Sequence, residues 1–149
     1  MRGLVQRVQQ ASVTVMVDGM PEVTGTIGPG LCVLVGVTHD DSVEDAAKLA
    51  NKIVGLRIMD DEDGVMNRSV LDTGGDVLIV SQFTLYGDAA KGRRPSWIAA
   101  ARPEVAEPLV ERVISDVQAA GVTVQTGRFR TDMVVNIVND GPVTLMLEI

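Results

Sequence analysis

The chain has 149 residues, enough for one domain with a real core, and a formal net charge of −7 that excludes general electrostatic attraction to nucleic acid. Its hydrophobic fraction is 46% with only 3% aromatics. Counting glycine raises the apolar share to roughly 56%, above the usual about 45–50% of globular proteins, so part of that surface is expected to be covered by a second copy of the chain. Cys32 is the only cysteine, so no intramolecular disulfide can form. No stretch approaches the length of a membrane span, and a cytoplasmic setting without a membrane partner is expected.

In chain order, Leu4–Val8 and Val13–Val17 read as strands. Asp18-Gly19 reads as a turn, and Glu22–Ile27 as the strand returning from it. After Gly28-Pro29-Gly30, the run Leu31–Val37 is apolar on both faces, the pattern of a strand covered on both sides. Asp41 or Ser42 can cap a helix, with Glu44 or Asp45 placed for a capping box. Val43, Ala46, Ala47, Ala50, Ile53 and Val54 share a face of that helix, and Gly55 ends it. A short strand around Leu56–Met59 leads to the acidic turn Asp60–Gly64, and Asp76–Val80 is another buried strand. Pro103 suits the first turn of a second helix that Gly121 ends. Pro108 inside it predicts a kink or a start nearer Glu107. Val122–Gln125, Met133–Val138 and Val143–Ile149 alternate like strands, with Asn139–Pro142 turning between the last two. The sum is a single α+β domain spanning residues 1–149, with mixed or mainly antiparallel, barrel-like sheet and two helices.

Several familiar motifs fail. With Gly64 at the sixth loop position, a calcium loop would need ligands from Met59 and Val70. His39 is the only histidine, too few for a histidine-based zinc site, and no metal or cofactor is expected. A Ser81–His39–Asp triad would need His39 beside Ser81, yet no Gly-x-Ser-x-Gly elbow presents that serine. Cys32 lies inside an apolar strand, where a thiol is inert. The glycines around Gly25–Gly30 have no lysine and precede no helix, so they form no phosphate loop.

Two segments remain. Ser81-Gln82-Phe83-Thr84-Leu85 ends a buried strand with hydroxyls flanking an aromatic, which is costly unless they are hydrogen-bonded or exposed in a cleft. They equally suit a plain strand end. Asn139-Asp140-Gly141-Pro142-Val143-Thr144 reads unaided as a hairpin turn. In this order, however, the pair resembles the two signature motifs of D-aminoacyl-tRNA deacylases. The resemblance extends over nearly the whole chain: Gln6-Arg7-Val8 with Ala11–Val15, Gly92–Ser96, Gln125–Phe129 and Asp132-Met133 also resemble family segments. The chain departs from the pattern at Met16–Pro21, Tyr86-Gly87 and Pro108, none within the signature motifs.

The resemblance implies a hydrolase that cleaves the ester between a D-amino acid and the terminal ribose of tRNA. It implies a homodimer with cross-subunit sites, in which a cis Gly141-Pro142 peptide reaches into the partner's pocket and excludes L-amino acids. Arg7 then holds that wedge, Met133 lines the pocket, and Asn139 and Thr144 support it. Ser81, Gln82, Phe83 and Thr84 carry the chemistry. Backbone N–H groups near Phe83 and Thr84 supply the oxyanion donors, and the tRNA ribose hydroxyl is a further candidate. With no evident base, Ser81→Ala and Thr84→Ala are each expected to retain activity. Lys91, Arg93 and Arg94, with Trp97 nearby for stacking, form a candidate patch for the tRNA acceptor end, and no DNA partner is expected. The rival readings are a deacylase clearing L-aminoacyl mischarged tRNA, a non-catalytic RNA-binding dimer and a serine esterase.

Overall fold

The computed structural model describes all 149 residues. The first two expected strands are one: β1 runs from Arg2 to Val17 without a break. Its polar middle, Gln9-Gln10, marks a change of neighbour, where pairing on one edge passes from β3 (Gly30–Gly36) to β2 (Met20–Ile27). Asp18 and Gly19 both have positive φ, and Val17 pairs with Met20, which makes the expected two-residue hairpin.

Ser42 caps α1 (Val43–Gly55) in a complete capping box with Asp45. β4 (Met59–Asp60) and β5 (Met66–Arg68) form a small ribbon around the acidic turn. There Asp61 accepts from Asn67 Nδ2 and the Val65 and Asp63 amides, which lower its pKa in that order, the Asn67 bond first. A one-turn helix, α2 (Val70–Thr73), adds to the two expected and is capped by Ser69. β6 (Asp76–Ser81) then runs parallel to β3.

The helix α3 starts at Pro103 and runs to Ala119 through Pro108, so the expected later start is corrected. The carbonyl deprived of a donor there belongs to Glu104, which like Pro108 is solvent-exposed, so the missing bond falls on the solvent side of the helix, where its loss costs least. A larger correction concerns the C-terminus. β7 (Val124–Thr126) pairs with β6, and Met133–Glu148 is then one 16-residue strand, β8, with no hairpin inside it. Both halves of β8 pair antiparallel with β1, so Asp140–Val143 bulges out of a ladder that stops at Asn139 and resumes at Thr144.

The main sheet runs β2-β1-β3-β6-β7, with β8 on the outer side of β1. It rolls until β7 meets β2: a Cβ on Gly25 would lie 2.9 Å from the Thr126 carbonyl, so only glycine permits this near closure. Inside the roll Val8, Ala11, Val13, Ile27, Cys32, Leu78 and Val80 form one apolar cluster. A larger cluster, including Leu49, Ile53, Val113 and Val117, lies between α1, α3 and the sheet. Burial raises the Cys32 thiol to about 11. Because the reactive thiolate forms only as pH approaches that value, native protein at pH 8 should alkylate roughly a hundredfold more slowly than a free thiol. Iodoacetamide labelling with and without denaturant measures the difference.

Candidate active site

β6 delivers Ser81 to the edge of the roll. The Gln82 backbone N–H donates to the Val35 carbonyl at 2.7 Å, the last bond beside the ladder, with Gln82 at φ −142° and ψ 80°. The chain then tightens into a 3₁₀ helix, Phe83–Tyr86, whose opening residues Phe83 and Thr84 have no acceptor for their N–H groups within that helix. Gln82 Nε2 donates to Thr84 Oγ1, and Ser81 makes no side-chain hydrogen bond in the chain. The Phe83 ring is exposed and meets Trp97 edge to face, with centroids 5.6 Å apart.

Ser81, Gln82 and Phe83 open onto a cleft of about 690 Å³, whereas the predicted site residue Thr84 does not line it. Ser81, Gln82, Phe83, Trp97 and Met133 line it together, so three parts of the chain converge there with Phe129 and the start of α3. Arg102, Arg130 and Asp132 also line it and were not singled out as site residues from the sequence. The signal available was their position, at the first turn of a helix and just ahead of Met133. A second cleft of about 490 Å³ shares Ser81, Phe129 and Met133 and carries Glu107 and Glu111 on its α3 wall.

The second signature segment lies elsewhere. Between the pairs Gln6–Thr144 and Val8–Asn139, the residues Asp140–Val143 stand opposite Arg7. The Gly141-Pro142 peptide bond is cis, and both residues are exposed. Arg7, only 11% exposed, reaches three ways: its Nε forms an ion pair with Asp140 Oδ2 at 2.8 Å, and one terminal nitrogen donates to Asp60 Oδ1 and the Ile58 carbonyl, both at 2.9 Å. The Asp140 contact is off line for a hydrogen bond, so its contribution is one of charge. Asn139 Nδ2 donates to the Arg7 carbonyl at 2.9 Å and to the Val143 carbonyl at 3.2 Å, bracing both ends of the bulge. Thr144 Oγ1 accepts from Gln6 Nε2 at 3.2 Å. None of Arg7, Asn139, Gly141, Pro142 or Thr144 lines either cleft.

Lys91, Arg93 and Arg94 are exposed on a loop closed by the Asp88–Ser96 bridge, and they too stand outside the cleft. Trp97, at the base of that loop, is the member of the group that reaches it. His39 Nε2 donates to the Ile98 carbonyl at 2.7 Å, and His39 lines neither cleft, so Ser81 has no imidazole partner.

Relatives share this rolled sheet with its flanking helices. A solved structure described as a c-Myc DNA unwinding element binding protein superposes with TM-score 0.89 at 38% identity, covering 99% of this chain and 98% of that one. At the level of fold alone, a probable eukaryotic D-amino acid tRNA deacylase matches with TM-score 0.84 at 20% identity, over 99% of this chain and 98% of that one. A D-aminoacyl-tRNA deacylase of Heliobacterium modesticaldum is 57% identical over 99% of this chain and 96% of its own length. The family described as D-Tyr-tRNA(Tyr) deacylase matches residues 4–148, and the chain belongs to that family.

Proposed function

We propose that the protein hydrolyses the ester joining a D-amino acid to the terminal ribose of tRNA, as a homodimer in which each Gly141-Pro142 bulge closes the cleft of the twin subunit. One observation carries this reading. Within one chain the two signature segments are apart: Met133 lines the cleft, and Asn139 lies six residues further along β8, roughly 20 Å at about 3.3 Å per residue. The bulge acts on a cleft only if another copy supplies one.

The dimer reading has physical support of its own. β8 pairs on one edge only, leaving a 16-residue strand open on the other. Val134 and Val138 on that strand are at least half exposed. A long, apolar open edge is a hazard that a partner removes, and the bulge sits on this same strand.

For the chemistry, an aminoacyl ester needs a positioned water and donors for the developing oxyanion. The Phe83 and Thr84 N–H groups are suited to the second task. Ser81 and Thr84 lack a histidine or carboxylate partner, so water-mediated attack, assisted by the neighbouring ribose hydroxyl, is favoured over a covalent acyl-enzyme. Selection works by exclusion: a backbone bulge over the reacting carbon fills the volume an L side chain requires, and a D residue directs its side chain elsewhere. Glycine has nothing to exclude.

Parallel deacylation of D-tyrosyl-, L-tyrosyl- and glycyl-tRNA tests this. The expected result is cleavage of the D-ester on the order of 100-fold faster than the L-ester, with glycyl-tRNA also cleaved. Faster cleavage of the L-ester would mark a deacylase for mischarged L-amino acids, and binding without cleavage a passive RNA-binding dimer.

A further inference from the structure

The deacylase reading leaves two charges in the cleft unassigned. Arg102 and Arg130 both line it, and neither forms an ion pair. Their neighbour Arg128, by contrast, is tied to Glu22 at 2.9 Å. Asp132 is the only carboxylate in the lining, so the cleft keeps a positive excess in a chain of net charge −7. Unpaired guanidiniums beside aromatic walls suit a planar base with a phosphate next to it.

The backbone adds a second observation. Arg130 has φ +58°, a region that residues with a Cβ rarely adopt. The turn holding it is fixed by Thr131 Oγ1, which donates to the Arg128 carbonyl at 2.9 Å. Glycine would occupy this position without penalty, so an arginine here is unfavourable for the fold while lining the cleft. Arg102 lines the cleft from a separate element, at the cap of α3, whose N-terminal end itself favours an anion.

We propose that Arg102 and Arg130 form the seat for the phosphate adjoining the terminal nucleoside of the substrate, so that the cleft distinguishes a nucleotide ester from a nucleoside ester. This rests on the deacylase reading. It assigns the phosphate nearest the reacting ester to these two residues, leaving Lys91, Arg93 and Arg94, which stand outside the cleft, for more distant parts of the RNA.

The test uses two small substrates, 3′-O-(D-tyrosyl)adenosine and its 5′-phosphate, beside intact D-tyrosyl-tRNA. Wild-type protein is expected to prefer the phosphorylated ester about tenfold in kcat/KM, through KM, the size expected of a charge-assisted contact. Arg102→Gln and Arg130→Gly should each bring that preference below about threefold and leave hydrolysis of the unphosphorylated ester within about twofold of wild type. Arg130→Gly should not lower Tm, because glycine accepts the positive φ. A preference that survives both substitutions, or losses that fall equally on both esters, would overturn the proposal. So would cleavage of the tRNA with neither small ester hydrolysed, since recognition would then lie further along the RNA. Failure on the intact tRNA as well would instead remove the deacylase reading itself.

Discussion

Phe83→Pro is expected to lower kcat for D-aminoacyl-tRNA hydrolysis by about 10²–10³ relative to Phe83→Ala, with KM changed little. Both substitutions remove the ring and its contact with Trp97, so their difference isolates the backbone N–H. Proline suits this position structurally. Phe83 opens the 3₁₀ helix, where its N–H bonds no carbonyl of that helix and a fixed φ near −65° is acceptable. The preceding Gln82, at φ −142° and ψ 80°, lies outside the α region that proline disfavours in the residue before it. Ser81→Ala and Thr84→Ala should each remain active, because neither hydroxyl has a base to make it a nucleophile. Single-turnover rates separate chemistry from binding. Equal rates for the proline and alanine variants would show that the Phe83 amide stabilises no oxyanion. A trapped acyl-enzyme lost in Ser81→Ala or Thr84→Ala would replace the mechanism with a nucleophilic one.

Arg7→Ala should weaken both the fold and the stereochemical filter. Its guanidinium is nearly buried and ties Ile58 and Asp60 to Asp140, two segments that are remote in sequence. Losing it leaves the Ile58 carbonyl and two carboxylates without their cation. Asp60 is 46% and Asp140 39% exposed, so water recovers part of the loss. The net cost is about 2 kcal/mol, a fall in Tm of about 6 °C for a chain of this size. The bulge keeps its Asn139 brace but loses its ionic anchor, so the D-over-L ratio should drop at least about tenfold. Asp140→Asn removes only the ionic contact to the bulge, and should reproduce the selectivity loss with a smaller change in Tm. Unchanged selectivity in both variants would separate Arg7 from the filter.

Local pattern was a good guide wherever neighbours in sequence are neighbours in space. Ser42 with Asp45, Asp18-Gly19, the burial of Cys32 and the strand Asp76–Val80 all follow from spacing within a few residues. The α1 face was only partly read: Ala46, Ala50 and Ile53 are buried as expected, but Val43 is exposed, and Leu49, which was not assigned to that face, is buried. Ser81–Leu85 drew attention because it ends a buried strand with polar groups that need an outlet, and Ser81, Gln82 and Phe83 do line a cleft, whereas Asn139–Thr144 stood out only through the family resemblance. The breaks in β1 and β8 were misread for one reason. Gln9-Gln10 falls in a polar gap between two apolar runs and Asn139–Pro142 looks like a turn, yet each strand continues because the other runs alongside it and supplies hydrogen bonds on either side of the interruption.

By itself the sequence determined the α+β class, the helix boundaries at Ser42 and Gly121, the inert thiol and the family resemblance. Tertiary structure alone decided that Arg7 meets Asp60 and Asp140, that Gly25 must admit the Thr126 carbonyl, and that Arg102 and Arg130 face one cleft from separate elements. The division has a physical cause. Helix caps and turns are set by bonds spanning two to four residues, which composition reveals, whereas these contacts arise only when a rolled sheet brings distant segments to the same few ångströms.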